Sequence, residues 1–167
     1  MTKFRALYTD YPWADASVER AILAEADCEL VESPDNREAT LAELPPGMDA
    51  ILTCWAPVTA RVVDAADRCR HIARTGIGLD NIDVARATER GMLVTNVPDY
   101  CLREVAEHTL ALLLALARKT SAYHLATKQG RYDLVAELPV ERVEGATLGI
   151  VGLGQIGTLL AAKALAL

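Results

Sequence analysis

Short apolar runs alternate with amphipathic segments along the first hundred residues of the chain. Five apolar runs have the length and composition of buried strands: FRALY (4–8), CELV (28–31), AILT (50–53), HIART (71–75) and MLVT (92–95). Three intervening segments repeat apolar residues every three or four positions, as amphipathic helices do: 15–26, 59–67 and 83–90. Strands that alternate with helices predict an α/β domain with a parallel sheet covered on both faces.

The first predicted helix has a clear apolar face and a polar start. Its apolar face consists of Val18, Ile22, Leu23 and Ala26. Asp15 or Ser17 marks the beginning of the helix, and an acidic residue follows in the first turn.

The segment NVPDY (96–100) interrupts this alternation. Pro98 ends an extended stretch, and Asp99 is a good helix cap. The sequence that follows predicts a long helix at 99–118 whose second half is apolar on every side, so a second domain or a second subunit must cover it. We therefore predict two domains, 1–98 and 99–167, and a surface excursion with short helical pieces at 121–145.

The segment GLGQIG has the G-x-G-x-x-G spacing of a dinucleotide-binding turn. ATLGIV before it predicts a strand and IGTLLAAKALAL after it predicts a helix, which is the context that this spacing requires. Gly152 permits the tight turn, Gly154 leaves room for a pyrophosphate, and Gly157 lets the helix pack against the strand. The N–H groups of Gln155 and Ile156 then face the phosphates. A tight turn without a ligand is the alternative.

A second glycine-rich turn, RTGIGLDNIDV (74–84), follows a predicted strand and opens a predicted helix. Gly76 and Gly78 permit a backbone turn with positive φ, and their N–H groups, with that of Ile77, are candidates to cradle a small anion. Arg74 is placed to add a bidentate hydrogen-bonded contact with a carboxylate. The alternative is an ordinary β–α turn in which polar residues serve as caps and first-turn anions: Asp80, Asn81 and Asp83.

Composition and charge favour a soluble cytoplasmic protein over several other classes. The net charge of −6 disfavours nucleic-acid binding. The four cysteines lack zinc-ligand spacing, and we expect reduced, mostly buried thiols and no metal. The N-terminus has no apolar signal core, and the longest charge-free apolar stretch, TLALLLALA, is too short to span a bilayer.

Three segments together resemble the D-isomer-specific 2-hydroxyacid dehydrogenases: RTGIGLDNIDVARATERGMLVTNVP, REVAEHTLALLLALAR and GATLGIVGLGQIG. The resemblance covers nearly the whole chain and is greatest to phosphoglycerate dehydrogenases and to bacterial relatives of C-terminal-binding proteins. It implies a flavodoxin-like substrate domain at 1–98 and, from 99, the start of a Rossmann domain. The implied reaction is reversible hydride transfer between NAD(H) and a D-2-hydroxy or 2-keto acid, with NADP not excluded.

The resemblance also implies roles for individual residues. Ile77 and Gly78 match the turn whose backbone binds the substrate carboxylate, and Ile77 also matches a residue that approaches the nicotinamide. Arg74 matches an arginine that contacts substrate in some members, and Trp55 falls on a loop that faces the active site. The helix at 99–118 matches the element that pairs subunits into a homodimer.

One departure from the family pattern changes the expected activity. The family's catalytic Arg, Glu and His align beyond residue 167, so the resemblance implies an N-terminal fragment that is inactive alone. His71, His108 and His124 do not match the catalytic histidine, and Glu104 with His108 indicates a surface or interface pair. The alternative is a non-catalytic relative that dimerises or senses NAD(H), as C-terminal-binding proteins make credible by analogy.

Overall fold

A computed structural model describes residues 3–44, 46–132 and 139–167. The chain divides into two compact units, Met1–Tyr100 and Cys101–Leu167. Within its described residues, the first unit alternates strands and helices throughout: β1 (Phe4–Tyr8), α1 (Ser17–Glu25), β2 (Cys28–Glu32), α2 (Glu38–Glu43), β3 (Ala50–Thr53), α3 (Ala60–Ala65), β4 (His71–Arg74), α4 (Val84–Glu89) and β5 (Leu93–Thr95).

The five strands form one parallel sheet in the order β2-β1-β3-β4-β5. This is the strand order of flavodoxin-like folds, so the predicted α/β class is confirmed. Alternate side chains of each strand face opposite sides of the sheet. Leu7, Ile51 and Ile72 are fully buried in the larger core cluster with residues of α2, α3 and α4. Ala6 and Tyr8 belong to a smaller cluster on the side of α1.

Helix α1 differs from its predicted packing. Val18 and Ile22, two residues of the predicted apolar face, are 67% and 62% exposed. The helix packs beside β2 at one edge of the sheet, so only a narrow stripe of it, including the partly buried Leu23, meets the core. Ala16 occupies the N-cap position, and the Asp15 carboxylate accepts a hydrogen bond from the Ser17 N–H at 2.9 Å. Helix α2, with fewer than two turns, was not predicted.

In its described residues, the second unit consists of helices and connecting segments: α5 (Leu102–Arg118), α6 (Thr120–Lys128) and α7 (Gln155–Ala164). The predicted start of the long helix was wrong, because Cys101, with φ of 49°, is the N-cap and Asp99 does not cap it. Asp99 lies instead within a turn in which the Tyr100 N–H donates to the Val97 carbonyl. Lys119, with φ of 55°, ends α5 and precedes α6.

In its described residues, the connection between α6 and α7 contains no regular strand. The predicted strand ATLGIV is not formed, because no strand of the described residues lies beside it to complete a ladder. Residues 133–138 of the predicted surface excursion lie outside the described residues. Helix α7 packs against α5, and Lys163 Nζ lies 2.8 Å from Glu107 Oε1. Across the described ranges, no helix has the length and apolar character needed to cross a membrane.

Candidate functional site

The carboxyl ends of the parallel strands gather the polar residues of the first unit at one edge of the sheet. Asp10 follows β1, Trp55 follows β3, the segment 75–78 follows β4 and Asn96 follows β5. Because β1, β3, β4 and β5 are consecutive neighbours in the sheet, these loops are adjacent. In open parallel sheets this edge is where ligands bind.

Asp10 organises the loop after β3. One of its carboxylate oxygens accepts the N–H groups of Cys54 at 3.0 Å and Ala56 at 3.1 Å, and the other accepts that of Trp55 at 2.9 Å. The Thr9 hydroxyl donates to the same carboxylate at 2.9 Å. Three successive backbone donors around one anion form a nest, and the nest fixes the backbone from which the 63% exposed Trp55 side chain projects.

The electrostatics of this edge follow from those hydrogen bonds. Burial raises the pKa of Asp10, but the donors from Trp55, Cys54, Ala56 and Thr9 outweigh it and hold the pKa below its ordinary value. Asp10 is therefore a carboxylate at neutral pH.

A second polar pair lies beneath the same edge. The buried Tyr8 hydroxyl donates to Glu19 Oε1 at 3.2 Å, and burial, followed by the Glu19 charge, raises the pKa of Tyr8 above its ordinary value. The other Glu19 oxygen is buried without a hydrogen-bond partner among the described residues.

The Arg74 side chain lies across the backbone of Gly76. A Cβ atom built on Gly76 would stand 2.0 Å from Arg74 Nη1, so no side chain fits there while the guanidinium keeps its position. Arg74 Nε donates to Asn81 Oδ1 at 3.2 Å. The sequence permits positive φ at both glycines of this loop, but neither Gly76 nor Gly78 adopts it. A side chain at Gly76 would have to displace the end of the Arg74 side chain.

The loop from Gly76 to Gly78 is fixed through its carbonyl groups. The Asn96 side-chain amide donates to the Ile77 carbonyl at 2.7 Å, and the Val97 N–H donates to the Gly76 carbonyl at 3.0 Å. The N–H groups of Gly76, Ile77 and Gly78 donate to no acceptor in the described part of the chain. A row of unused donors beside the Arg74 guanidinium can hold one small anion.

Of the residues proposed as caps in this loop, Asp83 has that role and Asn81 does not. Asp83 is the N-cap of α4, and its carboxylate accepts the Arg86 N–H at 2.9 Å. Asn81 is not the cap; its side chain joins Arg74 to the β3 loop. Asp80 places a carboxylate oxygen 3.2 Å from the position of a Gly78 Cβ, so the positive charge of Arg74 is needed to keep the cradle attractive to anions.

The G-x-G-x-x-G segment forms a turn in which each glycine has a distinct environment. Gly152 has φ of 89°, which favours glycine, and the space around the Gly154 Cβ position is open. A Cβ on Gly157 would lie 2.3 Å from the Gly152 carbonyl oxygen, so the start of α7 rests directly on the turn. Gln155 and Ile156 are the first residues of α7, where backbone N–H groups have no acceptor within the helix.

Several side chains at the strand edge were missed by sequence reasoning. Asp10 stands directly after a buried strand, the position at which polar residues of a parallel sheet meet, and that signal was available. Asn96 has the same position after β5. Of the histidines, His71 lies at the amino end of β4, opposite to this edge, and donates to or accepts from Thr95 Oγ1 at 2.8 Å. Glu104 and His108 are exposed, and no hydrogen bond joins them.

Comparison with known proteins identifies one family over most of the chain. The family model described as D-isomer specific 2-hydroxyacid dehydrogenase, catalytic domain, matches residues 9–150. D-3-phosphoglycerate dehydrogenase of Mycobacterium tuberculosis is 37% identical over 147 residues, which cover 88% of this chain and 28% of that protein. The chain thus spans under a third of the length of that curated relative.

Solved structures give the same relationship. D-lactate dehydrogenase from Aquifex aeolicus, complexed with NAD and lactic acid, superposes with a TM-score of 0.85 at 26% identity, over 96% of this chain and 48% of that one. An NADPH-dependent glyoxylate/hydroxypyruvate reductase from Sinorhizobium meliloti gives a TM-score of 0.82 at 28% identity, over 98% of this chain and 51% of that one. With its flavodoxin-like sheet, its glycine turns and a family match over most of its length, the chain belongs to the D-isomer-specific 2-hydroxyacid dehydrogenases.

Proposed function

We propose that this chain carries the carboxylate-binding loop and the pyrophosphate-binding turn of a nicotinamide-dependent D-2-hydroxyacid dehydrogenase. The observation that carries the proposal is the row of three unused N–H groups, from Gly76 to Gly78, beside the Arg74 guanidinium. The relatives whose names include lactic acid, glyoxylate and hydroxypyruvate act on or bind small acids with a carboxylate next to the reacting carbon.

The proposed substrate site uses the backbone for position and the arginine for charge. A carboxylate that accepts from Ile77 and Gly78 has its two oxygens fixed by rigid donors, because Asn96 and Val97 anchor the carbonyl side of the same loop. Arg74 supplies the positive charge, and Trp55 is proposed to cover the substrate from the β3 loop. The carbon next to the carboxylate is then held in one orientation, which hydride transfer requires.

The proposed nucleotide site rests on the turn before α7. The open space at Gly154 lets a pyrophosphate approach the backbone, and the N–H groups of Gln155 and Ile156 are available to it. When bound, a nicotinamide dinucleotide supplies or accepts the hydride. Both NAD and NADP fit this part of the site, because the residues that contact the pyrophosphate do not read the adenosine ribose.

The reaction also needs a group that protonates the keto oxygen or deprotonates the hydroxyl. His71 stands at the wrong end of its strand for this role. We therefore propose that the acid–base residues are supplied from outside these 167 residues, and that the chain by itself binds ligands without turnover. A lack of turnover in this chain alone is also expected of a non-catalytic relative. An assay of the whole native protein for NADH oxidation with 2-keto acids distinguishes the two: activity supports the dehydrogenase, and its absence supports the non-catalytic relative.

The carboxylate site can be tested on the chain directly. We expect pyruvate to shift the backbone amide resonances of residues 76–78 in ¹H–¹⁵N NMR spectra. Pyruvamide has the same keto group and an uncharged amide in place of the carboxylate, so it should leave those resonances nearly unchanged. Equal shifts with both compounds, or shifts with pyruvate elsewhere only, would remove the basis for the proposal.

We also propose that the chain forms a homodimer through α5. Val105, Leu112 and Leu116 share one face of that helix and are 39%, 52% and 70% exposed. An apolar stripe of this kind favours a covering partner. Sedimentation velocity should find a dimer for the unmodified chain and a monomer for L112E/L116E, whereas L125E, at another exposed leucine, should remain dimeric.

A further inference from the structure

We propose that Asn81 is a positioning residue for substrate binding: it holds the Arg74 guanidinium against Gly76, with its terminal nitrogens free for the ligand carboxylate. The inference rests on the proposed function of the loop and adds a residue to it. Asn81 forms no hydrogen bond with the Gly76–Gly78 N–H groups, and it contacts the proposed site through Arg74 on one side and through the β3 loop that carries Trp55 on the other. A double-mutant cycle with Arg74 separates these two routes.

Asn81 links the loops after two neighbouring strands. Its Nδ2 donates to the Ala56 carbonyl at 2.9 Å and to Thr53 Oγ1 at 3.3 Å, and both of those residues are almost completely buried. Its Oδ1 accepts from Arg74 Nε at 3.2 Å. The Asn81 amide is therefore anchored by its donor side to the β3 loop and presents its acceptor side to the arginine.

The amide group suits this position because it offers a donor and an acceptor on one plane. An aspartate would turn a carboxylate oxygen towards the Ala56 carbonyl and would pair with the Arg74 charge. The asparagine fixes the arginine and leaves its charge uncompensated. In the described part of the chain, Arg74 forms no ion pair, although Arg5, Arg20, Arg37, Arg68 and Arg86 each do.

The direction of the contact also matters. Asn81 accepts a hydrogen bond from Nε of Arg74 alone, and neither Nη group of Arg74 donates a hydrogen bond within the described residues. These two groups form the outer edge of the guanidinium, which matches the two oxygens of a carboxylate. Gly76 completes the arrangement, since any side chain there would displace Nη1.

The test is a double-mutant cycle on the whole 167-residue chain with pyruvate as the probe and NMR shifts at residues 76–78 as the signal. We expect N81A to weaken pyruvate binding about tenfold, the size of one lost charge-assisted hydrogen bond. In a chain that already carries R74A, adding N81A should change the dissociation constant by less than about twofold, because the residue acts through the arginine.

A matched control and a second variant keep the inference open to refutation. D83A removes the cap of the next helix without touching Arg74, so it should lower stability and leave pyruvate binding unchanged. G76A displaces the guanidinium while leaving Asn81 bonded to Ala56, so it should weaken binding as N81A does, and in a chain that carries R74A its effect should fall below about twofold.

The outcomes separate this inference from the function on which it rests. If R74A weakens binding and N81A binds pyruvate as the unmodified chain does, the positioning role is wrong and the proposed function stands. Equal losses from N81A with and without Arg74 would likewise overturn the positioning role. If R74A has no effect, the assignment of Arg74 to the substrate site fails, and the role of Asn81 fails with it.

Discussion

Removing the Asp10 carboxylate should destabilise the first unit far more than its partly exposed position implies. Asp10 accepts three backbone N–H groups and one hydroxyl at 2.9–3.1 Å. Hydrogen bonds to a charged acceptor contribute roughly 1.5–3 kcal/mol each when buried. Water can replace part of each bond here, so we take about 1 kcal/mol per backbone donor. D10A should therefore lower the free energy of unfolding by about 3 kcal/mol.

The amide variant distinguishes this account from a general loss of packing. In D10N the amide oxygen can replace the carboxylate oxygen that accepts from Cys54, Ala56 and Thr9, while the amide nitrogen must face the Trp55 N–H. One bond of the four is lost, and D10N should cost only about 1 kcal/mol. D15A is the matched control, because that exposed aspartate accepts one backbone N–H and should produce a much smaller loss.

Urea unfolding followed by tryptophan fluorescence measures these differences. Both tryptophans, Trp13 and Trp55, lie in the first unit, so the signal reports that unit. A loss below about 1 kcal/mol in D10A, or equal losses in D10A and D10N, would refute the reasoning from the nest.

The same aspartate predicts a pH dependence. Its pKa in the folded chain lies below its ordinary value, so its stabilisation is complete above the unfolded pKa of about 3.9 and is lost as the pH falls through the folded pKa. Below about pH 4, the unfolding free energy of D10A should depend less on pH than that of the unmodified chain.

Two further predictions concern the second unit. G157A should loosen the start of α7, because the new Cβ would lie 2.3 Å from the Gly152 carbonyl oxygen. The hydrogen-exchange rates of α7 amides should then rise about tenfold or more. The control G149A, which has open space at its Cβ position, should leave those rates unchanged. The hydrogen bond from Lys163, and then its charge, hold the pKa of Glu107 below its ordinary value. The pKa of Glu107, measured by NMR titration, should return towards about 4.3 in K163M, and an unchanged value would show that the ion pair does not persist in solution.

The sequence predicted the parts of the fold that depend on local pattern. All five strands of the first unit lie within a residue or two of their predicted bounds, because each is a short apolar run bounded by polar residues. The sequence also predicted that a glycine turn precedes the last helix. Gly152 and Gly157 contact each other across only five residues, so their roles depend on local sequence. The failures at the helix starts, such as Asp99, arose because several nearby residues have capping side chains or can adopt the required backbone angles.

The candidate site was only partly predictable because its contacts are long-range. Asp10 meets the β3 loop 44 to 46 residues away, and Asn81 meets Ala56 across 25 residues. Nothing in the local sequence distinguishes Asn81 from a helix cap, since both roles use the same side chain. The exposure of Val18 and Ile22 was missed for a similar reason: a helical pattern shows which residues share a face and not how much of that face the sheet covers.

The nest around Asp10 has a consequence for selectivity. Two loops at this edge of the sheet carry successive backbone N–H groups, and the chain fills the one after β3 with its own carboxylate. A ligand carboxylate would have to displace the Asp10 carboxylate from the loop after β3. The N–H groups of the loop after β4 have no acceptor in the described part of the chain. If the Asp10 carboxylate is removed, a free carboxylate should take its place: acetate should raise the stability of D10A by more than it raises that of the unmodified chain.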